Sequence, residues 1–499
     1  MNEGPLEMRA FIFGLGPPDE GNKPDMTSRE AGTASRHPLI AASFLACAIV
    51  LGGGGSPNPG TEVLLQLVFV LAALAWLWLP GPDGSVPLPR SRTFWLICAL
   101  VLVLPLAQLV PLPPGLWTAL DEQGNRAAAL ALVGREHSWQ PLSQSPPRTL
   151  AALLAIVPAL FAFFATAALD ARGRVSVVSA IALMTLVAAL AGALQLSLGP
   201  SGPHRIYDGY YPSLTGFQAN RNSAADVFLI GIAATAAALM PVLAGQRARG
   251  TRPDRFAPLA NRRAAAILLA VLVAVLFFAT LLTASRVGIV LMPLVLVGAW
   301  IILLPAMADF GRWRYFPALA ALALIPAVAF VSWQSGNTAL GTVAERFIFS
   351  DDPRRELWRD GWFAIAQAWP FGVGMGGGQP AMIAAERLEV LDPYLPNRVH
   401  NDYLEVALEG GLPAVILVTV ISLLLVAAAW RSWRARPLER HQTGLGIVIL
   451  SVAAVHSFVD YPLRSMALAC LVGTGAGLLM SPPRKLAPNE PSALHGDLS

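Results

Sequence analysis

The sequence predicts an all-α, polytopic membrane protein of about twelve spans, and three observations predict it. Of its 499 residues, 55% are hydrophobic and only 13% charged, where a soluble domain carries about a quarter charged residues. The mean hydropathy is +0.57, and the apolar residues come in runs of the ~20-residue length that a hydrocarbon core about 30 Å thick demands of a helix. Basic loops separate these runs in regular alternation. The same pattern argues against a nucleic-acid partner, because the arginines fall in short loops between apolar runs rather than on one soluble face.

Residues 1–37 are polar and rich in Gly, Pro and charge. No apolar stretch follows Met1 closely, so no cleavable signal is expected, and the segment reads as a disordered cytoplasmic tail. Spans are expected at 38–54, 62–80, 93–112, 149–169, 175–197, 223–245, 264–283, 287–305, 315–333, 412–429, 444–460 and 464–480. Together they form a transmembrane domain over 38–480, followed by a cytoplasmic tail at 481–499. Cys47, Cys98 and Cys470 lie inside apolar runs without metal-ligand spacing and read as packing residues.

Orientation follows from arginine and lysine in the short loops. Arg90 and Arg92 follow the second span, Arg172 and Arg174 the fourth, and Arg247, Arg249, Arg252, Arg255, Arg262 and Arg263 the sixth. Arg312 and Arg314 follow the eighth, Arg431, Arg434, Arg436 and Arg440 the tenth, and Arg484 and Lys485 the twelfth. Every loop after an even-numbered span is basic, which places those loops and both termini in the cytoplasm. The opposite face holds longer connections at 113–148, 198–222 and, largest, 334–411. A connection that long is unusual, and long loops on a rigid scaffold are where function concentrates. In a bacterium that face is the periplasm.

The large loop carries a helix of its own. In "SDDPRRELWRDGWFAIAQAW", Asp352 is a candidate N-cap and Pro353 a first helical residue. Trp358, Trp362, Ile365 and Trp369 recur at helical spacing beside Arg355 and Arg359, a pattern suited to the membrane–water interface. "PFGVGMGGGQP" then breaks the helix. It has no lysine and no preceding strand, so it reads as a turn rather than a phosphate-cradling loop.

Four polar clusters remain at the same face. In "RVHNDYLEVALEGGLP" a helix starting near His400 puts Asp402, Glu405 and Glu409 on one side, ended or kinked by Gly410, Gly411 and Pro413. That side is either solvated or functional, and His400 is a candidate base near neutral pH. "FQANRNSAADVF" sets Arg221 at the start of a span, with Asp226 about a turn inside. "LLTASRVGIVL" sets Ser285 and Arg286 in a tight hairpin. An arginine at a helix end also serves simply by snorkelling to headgroups, but Arg286 lies on the face where few positive charges are expected. In "VHSFVDYPLR", His456 and Asp460 stand one turn apart, either satisfying each other or supporting a cavity. Fixed cations with one base around an apolar space suit an anionic, lipid-linked substrate, since guanidinium–phosphate hydrogen bonds are often bidentate.

These motifs, in their order, resemble the O-antigen ligase and polymerase-related membrane protein family: "WQPLSQSPPRTL", "NRNSAA", "SR" in an outer hairpin, "RRELWRDGW", "HNDYLEVALEGGLP" and "HSFVDYPL", over roughly residues 139 to 464. The resemblance implies a GT-C-type glycosyltransferase of the bacterial inner membrane, working on the periplasmic face. It would take a glycan from an undecaprenyl diphosphate donor and pass it to an acceptor, with stereochemical inversion and with no metal, nucleotide sugar or other cofactor. The ligase form would use lipid A–core. A polymerase would use a second lipid-linked repeat, and a protein oligosaccharyltransferase a protein hydroxyl. By residue-wise match, Arg221 and Arg286 would hold the diphosphate, His400 would assist the acceptor hydroxyl, and Arg355 would be a further phosphate ligand. Arg359, Glu405, Glu409, His456 and Asp460 join the substrate-binding candidates. A transporter or flippase is the competing class; it would carry ionisable residues near the bilayer midplane, which nearly all these spans lack.

Overall fold

A computed structural model describes residues 35–54, 59–81, 84–120, 125–199, 207, 212–245, 262–307, 354–387, 389 and 398–481. Residues 1–34 and 482–499 of the tails expected at 1–37 and 481–499, the span expected at 315–333, and Arg247, Arg249, Arg252, Arg255, Arg312, Arg314, Asp352, Pro353, Arg484 and Lys485 lie outside them. The described chain is helical apart from one two-stranded antiparallel pair, β1 (Pro111–Leu112) with β2 (Gln140–Pro141).

The helices are α1 (His37–Leu51), α2 (Pro59–Trp78), α3 (Arg92–Leu109), α4 (Pro114–Leu120), α5 (Asn125–Ala131), α6 (Pro146–Ala168), α7 (Ala171–Ser197), α8 (Arg221–Leu243), α9 (Arg262–Leu282), α10 (Arg286–Leu303), α11 (Arg354–Ala368), α12 (Gly378–Ala385), α13 (Asp402–Ala435), α14 (Arg440–His456) and α15 (Met466–Leu479). Eight are long and apolar enough to cross a membrane: α2, α3, α6, α7, α8, α9, α10 and α13; α1 and α15 are apolar but shorter. Polar caps set the starts. Asn220 accepts from Asn222 N–H, Ser285 from Gly288 N–H, Asn401 from the Tyr403 and Leu404 N–H groups, and Ser465 from Leu468 N–H. Each satisfies a donor that the first helical turn leaves without a partner.

Packing follows from residue size. Nearly every residue of α8 from Ser223 to Ala237 is buried, because its Ala and Gly residues let α7, α9, α10 and α14 approach on all sides. The lower half of α13 and much of α2 instead present Leu423, Val426, Leu67 and Leu71 outward, which lipid solvates and water does not. α15 lies against α6, α14 and α1, and α3 and α13 close over α6.

Helix directions sort the polar residues into two ends. At one end the start of α7, the end of α15 and the start of α14 meet: Gln442 donates to Ala171 O at 2.9 Å and Arg174 to Met480 O at 2.9 Å. Arg90, Arg92, Arg172, Arg431, Arg434 and Arg440 begin or end helices at this basic end. Arg174, expected as a loop charge, is instead fully buried and donates to the Thr166 and Leu169 carbonyls at 3.1 Å. It satisfies the orphan carbonyls at the ends of α6 and α15, and a cation at a helix C-terminus also suits the dipole. At the other end the close of α1 meets the starts of α8 and α15: Ala219 N donates to Gly53 O and Ala467 N to Gly52 O, both at 2.9 Å. α10 ends at the basic end, whereas α11 packs against the first turns of α13 at the opposite one.

Candidate functional site

Two helices open side by side at the non-basic end. Arg221 is the first residue of α8 and Arg286 the first of α10. Ser285, the cap of α10, donates to Asn222 Oδ1 at 2.7 Å, so the two N-termini are tied together. Both arginines are half-buried. Two helix N-termini, each with positive dipole and an arginine on its first turn, make a local field suited to an anion. The hairpin that sets Arg286 is tight enough to hold Ala284 in the left-handed region at φ +52°.

Asn222 links this corner to the rest of the site. It donates to Asp460 Oδ2 at 2.5 Å, and Asp460 Oδ1 lies 3.0 Å from His400 Nδ1. An ionised carboxylate has only acceptors, so Nδ1–H donates. The His400 side chain is 31% exposed while that of Asp460 is 3% exposed. The ring therefore shows a face to solvent with its charge partner behind it. Burial alone pushes the Asp460 carboxyl up, but the His400 hydrogen bond, the charges of His456 and His400, and Asn222 outweigh it and hold it below its ordinary value. His400 itself precedes the helix expected to begin there. α13 starts at Asp402, and His400 sits outside it at φ +55°, an uncommon conformation for a residue with a Cβ. The Trp358 indole N–H reaches its carbonyl at 3.4 Å, and its ring lies 4.8 Å from that of Tyr461.

His456 does not pair first with Asp460, as their spacing suggests. Its Nδ1 lies 2.6 Å from Asp226 Oδ2, and its Nε2 stands 3.8 Å from Asp460 Oδ2. Asp226, His456 and Asp460 are all buried. His456 and Asp460, sequence candidates for substrate binding, are both buried, with Asp460 between His456 and His400.

The acidic side of α13 also points inward. Glu405 and Glu409 are 1% and 0% exposed. Arg398 Nη1 donates to Glu405 at 2.6 Å, and Arg464 Nη2 contacts Glu409 at 2.7 Å and Glu405 at 3.3 Å. Burial lowers the Arg464 guanidinium, but Glu405 and Glu409 more than reverse this and hold it above its ordinary value. The two glutamates thus fix arginines and reach no surface that a substrate could touch, because an unpaired carboxylate there would be costly. Asp402, on the same side, accepts from Ser457 Oγ at 2.9 Å. At Gly411 the helix turns at φ +58°, and the following residues resume it towards the basic end.

The helix of the large loop is present as α11, with Ile365 buried but Trp362 and Trp369 largely exposed. Arg355 and Arg359 project from its exposed side beside Glu356, and no hydrogen bond or ion pair described here ties them to His400 or Asp460. Glu356 and Asp360 bind Arg387, the latter at 2.7 Å. The Gly-rich run is a turn, as expected, and Met375 N in it donates to Gln108 Oε1 at 2.9 Å.

The residues that sequence reasoning missed are Asn222, Arg398 and Arg464. Asn222 looks like one more polar residue at a helix start. Arg398 and Arg464 are marked only by buried glutamates that need counter-ions.

Residues 269–419 match the sequence model of the family described as O-Antigen ligase. The matched stretch runs from α9 into α13, and so includes Arg286, Arg355, Arg359, His400, Glu405 and Glu409 but not Arg221, His456 or Asp460. No curated protein matches the chain.

Proposed function

We propose that this membrane protein, which carries an O-antigen ligase family domain over residues 269–419, transfers a glycan from a polyprenyl diphosphate-linked donor to an acceptor hydroxyl. The observation that carries the proposal is the His400–Asp460 pair at 3.0 Å, joined through Asn222 and Ser285 to the helix that begins with Arg286. The base and the anion-facing helix starts belong to one hydrogen-bonded chain. The acceptor oxygen attacks the anomeric carbon of the donor glycan, and the bond from that carbon to the diphosphate oxygen breaks. The bonding pair leaves with the diphosphate, and the acceptor proton passes to His400 Nε2. A single displacement of this kind inverts the anomeric centre.

Each group has a physical task. Asp460 fixes the ring and stabilises the imidazolium that forms, which general-base catalysis needs. Arg221 and Arg286 stabilise the charge that grows on the departing diphosphate. None of these residues requires a metal ion to act. The end that holds them would face the periplasm, and the arginine-rich end the cytoplasm. Among the described residues the eight helices long and apolar enough to cross a membrane carry no charged group in their middle turns, which favours transfer chemistry over a transport path.

The ligase form takes lipid A–core as acceptor and the polymerase form a second lipid-linked repeat. The test is glycan transfer in vesicles that carry the intact chain or its His400→Ala variant. Transfer that survives His400→Ala at normal protein level overturns the proposal. Removing the gene separates the two forms: long lipid-linked chains accumulate for a ligase, single repeats for a polymerase.

A further inference from the structure

A second imidazole lies behind the His400–Asp460 pair, with a carboxylate on either side of it. Asp226 stands in the second turn of α8, and His456 is the last residue of α14, which packs against α8. His456 Nδ1 lies 2.6 Å from Asp226 Oδ2, and both side chains are 1% exposed. The other ring nitrogen, Nε2, stands 3.8 Å from Asp460 Oδ2. That is too long for a hydrogen bond but close for two opposite charges. Asp226 Oδ1 and His456 Nε2 have no hydrogen-bond partner among the described residues.

Stability does not account for this arrangement. A buried ion pair adds little net stability, because desolvation offsets the attraction. Buried polar atoms without a hydrogen bond add to the cost. What the geometry favours is a fixed positive charge on His456. The charged groups that face it are Asp226 of α8, Asp460 of the α14–α15 connection and, opposing them, Arg354 at the start of α11, two anions against one cation. Without a proton on Nε2, a lone pair would face the Asp460 carboxylate, acceptor against acceptor. The ring also closes α14, where the helix dipole suits a cation.

Asp460 therefore sits between two imidazoles, the buried His456 near one oxygen and the partly exposed His400 on the other. We propose that Asp226 and His456 are a positioning pair for His400: they hold a permanent imidazolium against the far oxygen of Asp460, and so reduce the stabilisation that Asp460 gives to protonated His400. The inference rests on the reading of His400 as the base and deepens it. A protonated imidazole cannot take a proton from the acceptor hydroxyl, and a base works best when its proton affinity is matched to the working pH. Asp460 left alone with His400 would hold that ring protonated to higher pH. The buried imidazolium frees it earlier while keeping Asp460 ionised to orient it.

The test uses the full chain in nanodiscs. Diethyl pyrocarbonate modifies unprotonated imidazole, and mass spectrometry of the peptide that contains His400 reads this ring apart from the buried His456. Asp226→Asn/His456→Gln removes both charges and leaves no buried charge alone. It should move the midpoint of His400 modification towards alkaline pH by at least about half a unit. Asp226→Leu/His456→Leu should give the same shift and serves if the amide pair misfolds. His456→Lys keeps a cation between the carboxylates and should leave the midpoint within about 0.2 unit of the parent. The rising limb of glycan transfer against pH should move with the midpoint, so that transfer on its acidic side falls about threefold and recovers at alkaline pH. A folded double variant with an unmoved midpoint overturns the proposal, and so does a His456→Lys midpoint that shifts as far as that of the double variant. A midpoint that moves while the transfer profile stays still keeps the pair's influence on His400 and removes His400 as the base.

Discussion

Asp460 Oδ1 lies 3.0 Å from His400 Nδ1, and its other oxygen is held by Asn222 at 2.5 Å. The carboxylate is thus pinned from two sides, and only the imidazole it orients reaches solvent. His400→Ala removes the base and should lower glycan transfer by about 10²–10⁴-fold. Asp460→Asn keeps the shape but removes the charge that stabilises an imidazolium, and should fall in the same range. Rates in vesicles, followed against pH, check this. Asp460→Asn should alter the alkaline-rising limb of the profile, whereas a purely structural role would lower it uniformly.

Arg286 begins α10 with its helix dipole behind it. If it stabilises the leaving diphosphate, Arg286→Ala should lower kcat by about 10²–10³-fold, the size seen when one electrostatic donor is removed. Arg286→Lys keeps the charge but loses the bidentate fork, and should recover part of the rate. Arg221→Ala should behave alike. Steady-state kinetics with a lipid-linked donor separates a kcat effect from a KM effect.

Arg464 and Glu409 meet at 2.7 Å, with Glu409 wholly buried. Removing one partner leaves a buried charge alone, so Arg464→Met should destabilise by about 3–5 kcal/mol. Arg464→Met combined with Glu409→Leu should recover most of that. Thermal unfolding of Arg464→Met, Glu409→Leu and the double variant in one detergent checks the cycle. Additive losses in the double variant count against coupling.

The depressed Asp460 carboxyl has a pH consequence with a defined sign. A carboxylate held below its ordinary value stabilises the fold above the ordinary carboxylate range and loses that contribution as pH falls through its depressed value. The melting temperature of the parent should therefore exceed that of Asp460→Asn at neutral pH. The gap should close as pH falls below about 4. A gap that stays constant to pH 3 contradicts the assignment.

Gly411 holds φ +58°, and a Cβ there would collide with the Pro370 carbonyl. Gly411→Ala should lower stability by at least about 1–3 kcal/mol from backbone strain, with the collision adding to it, read as a drop in melting temperature and a loss of folded protein on size exclusion.

The sequence and the structure agree where the physics is local. Apolar length marks the helices, arginines mark one end, and polar residues at helix starts mark Arg221, Arg286 and His400. The four-residue spacing of His456 and Asp460 misled, because it implies one helix. α14 ends at His456, and the chain then turns Asp460 towards His400, sixty residues away. The acidic side of α13 reads as solvated for a similar reason: one of its counter-ions, Arg464, comes from the far side of two helices. Arg174 reads as a loop charge because nothing local shows that the ends of α6 and α15 converge on it.

The nine-residue connection from Ser457 to Ser465 touches Asp402, His400, Asn222, Glu409 and the end of α1 in turn. It works like a keystone, with each contact fixing the span of the next. Adding or deleting a single residue there shifts the whole set by about 3.5 Å, further than any of these hydrogen bonds can stretch. The strap's length is therefore as much a part of the machinery as its side chains, and gaps should gather elsewhere in the chain as relatives diverge.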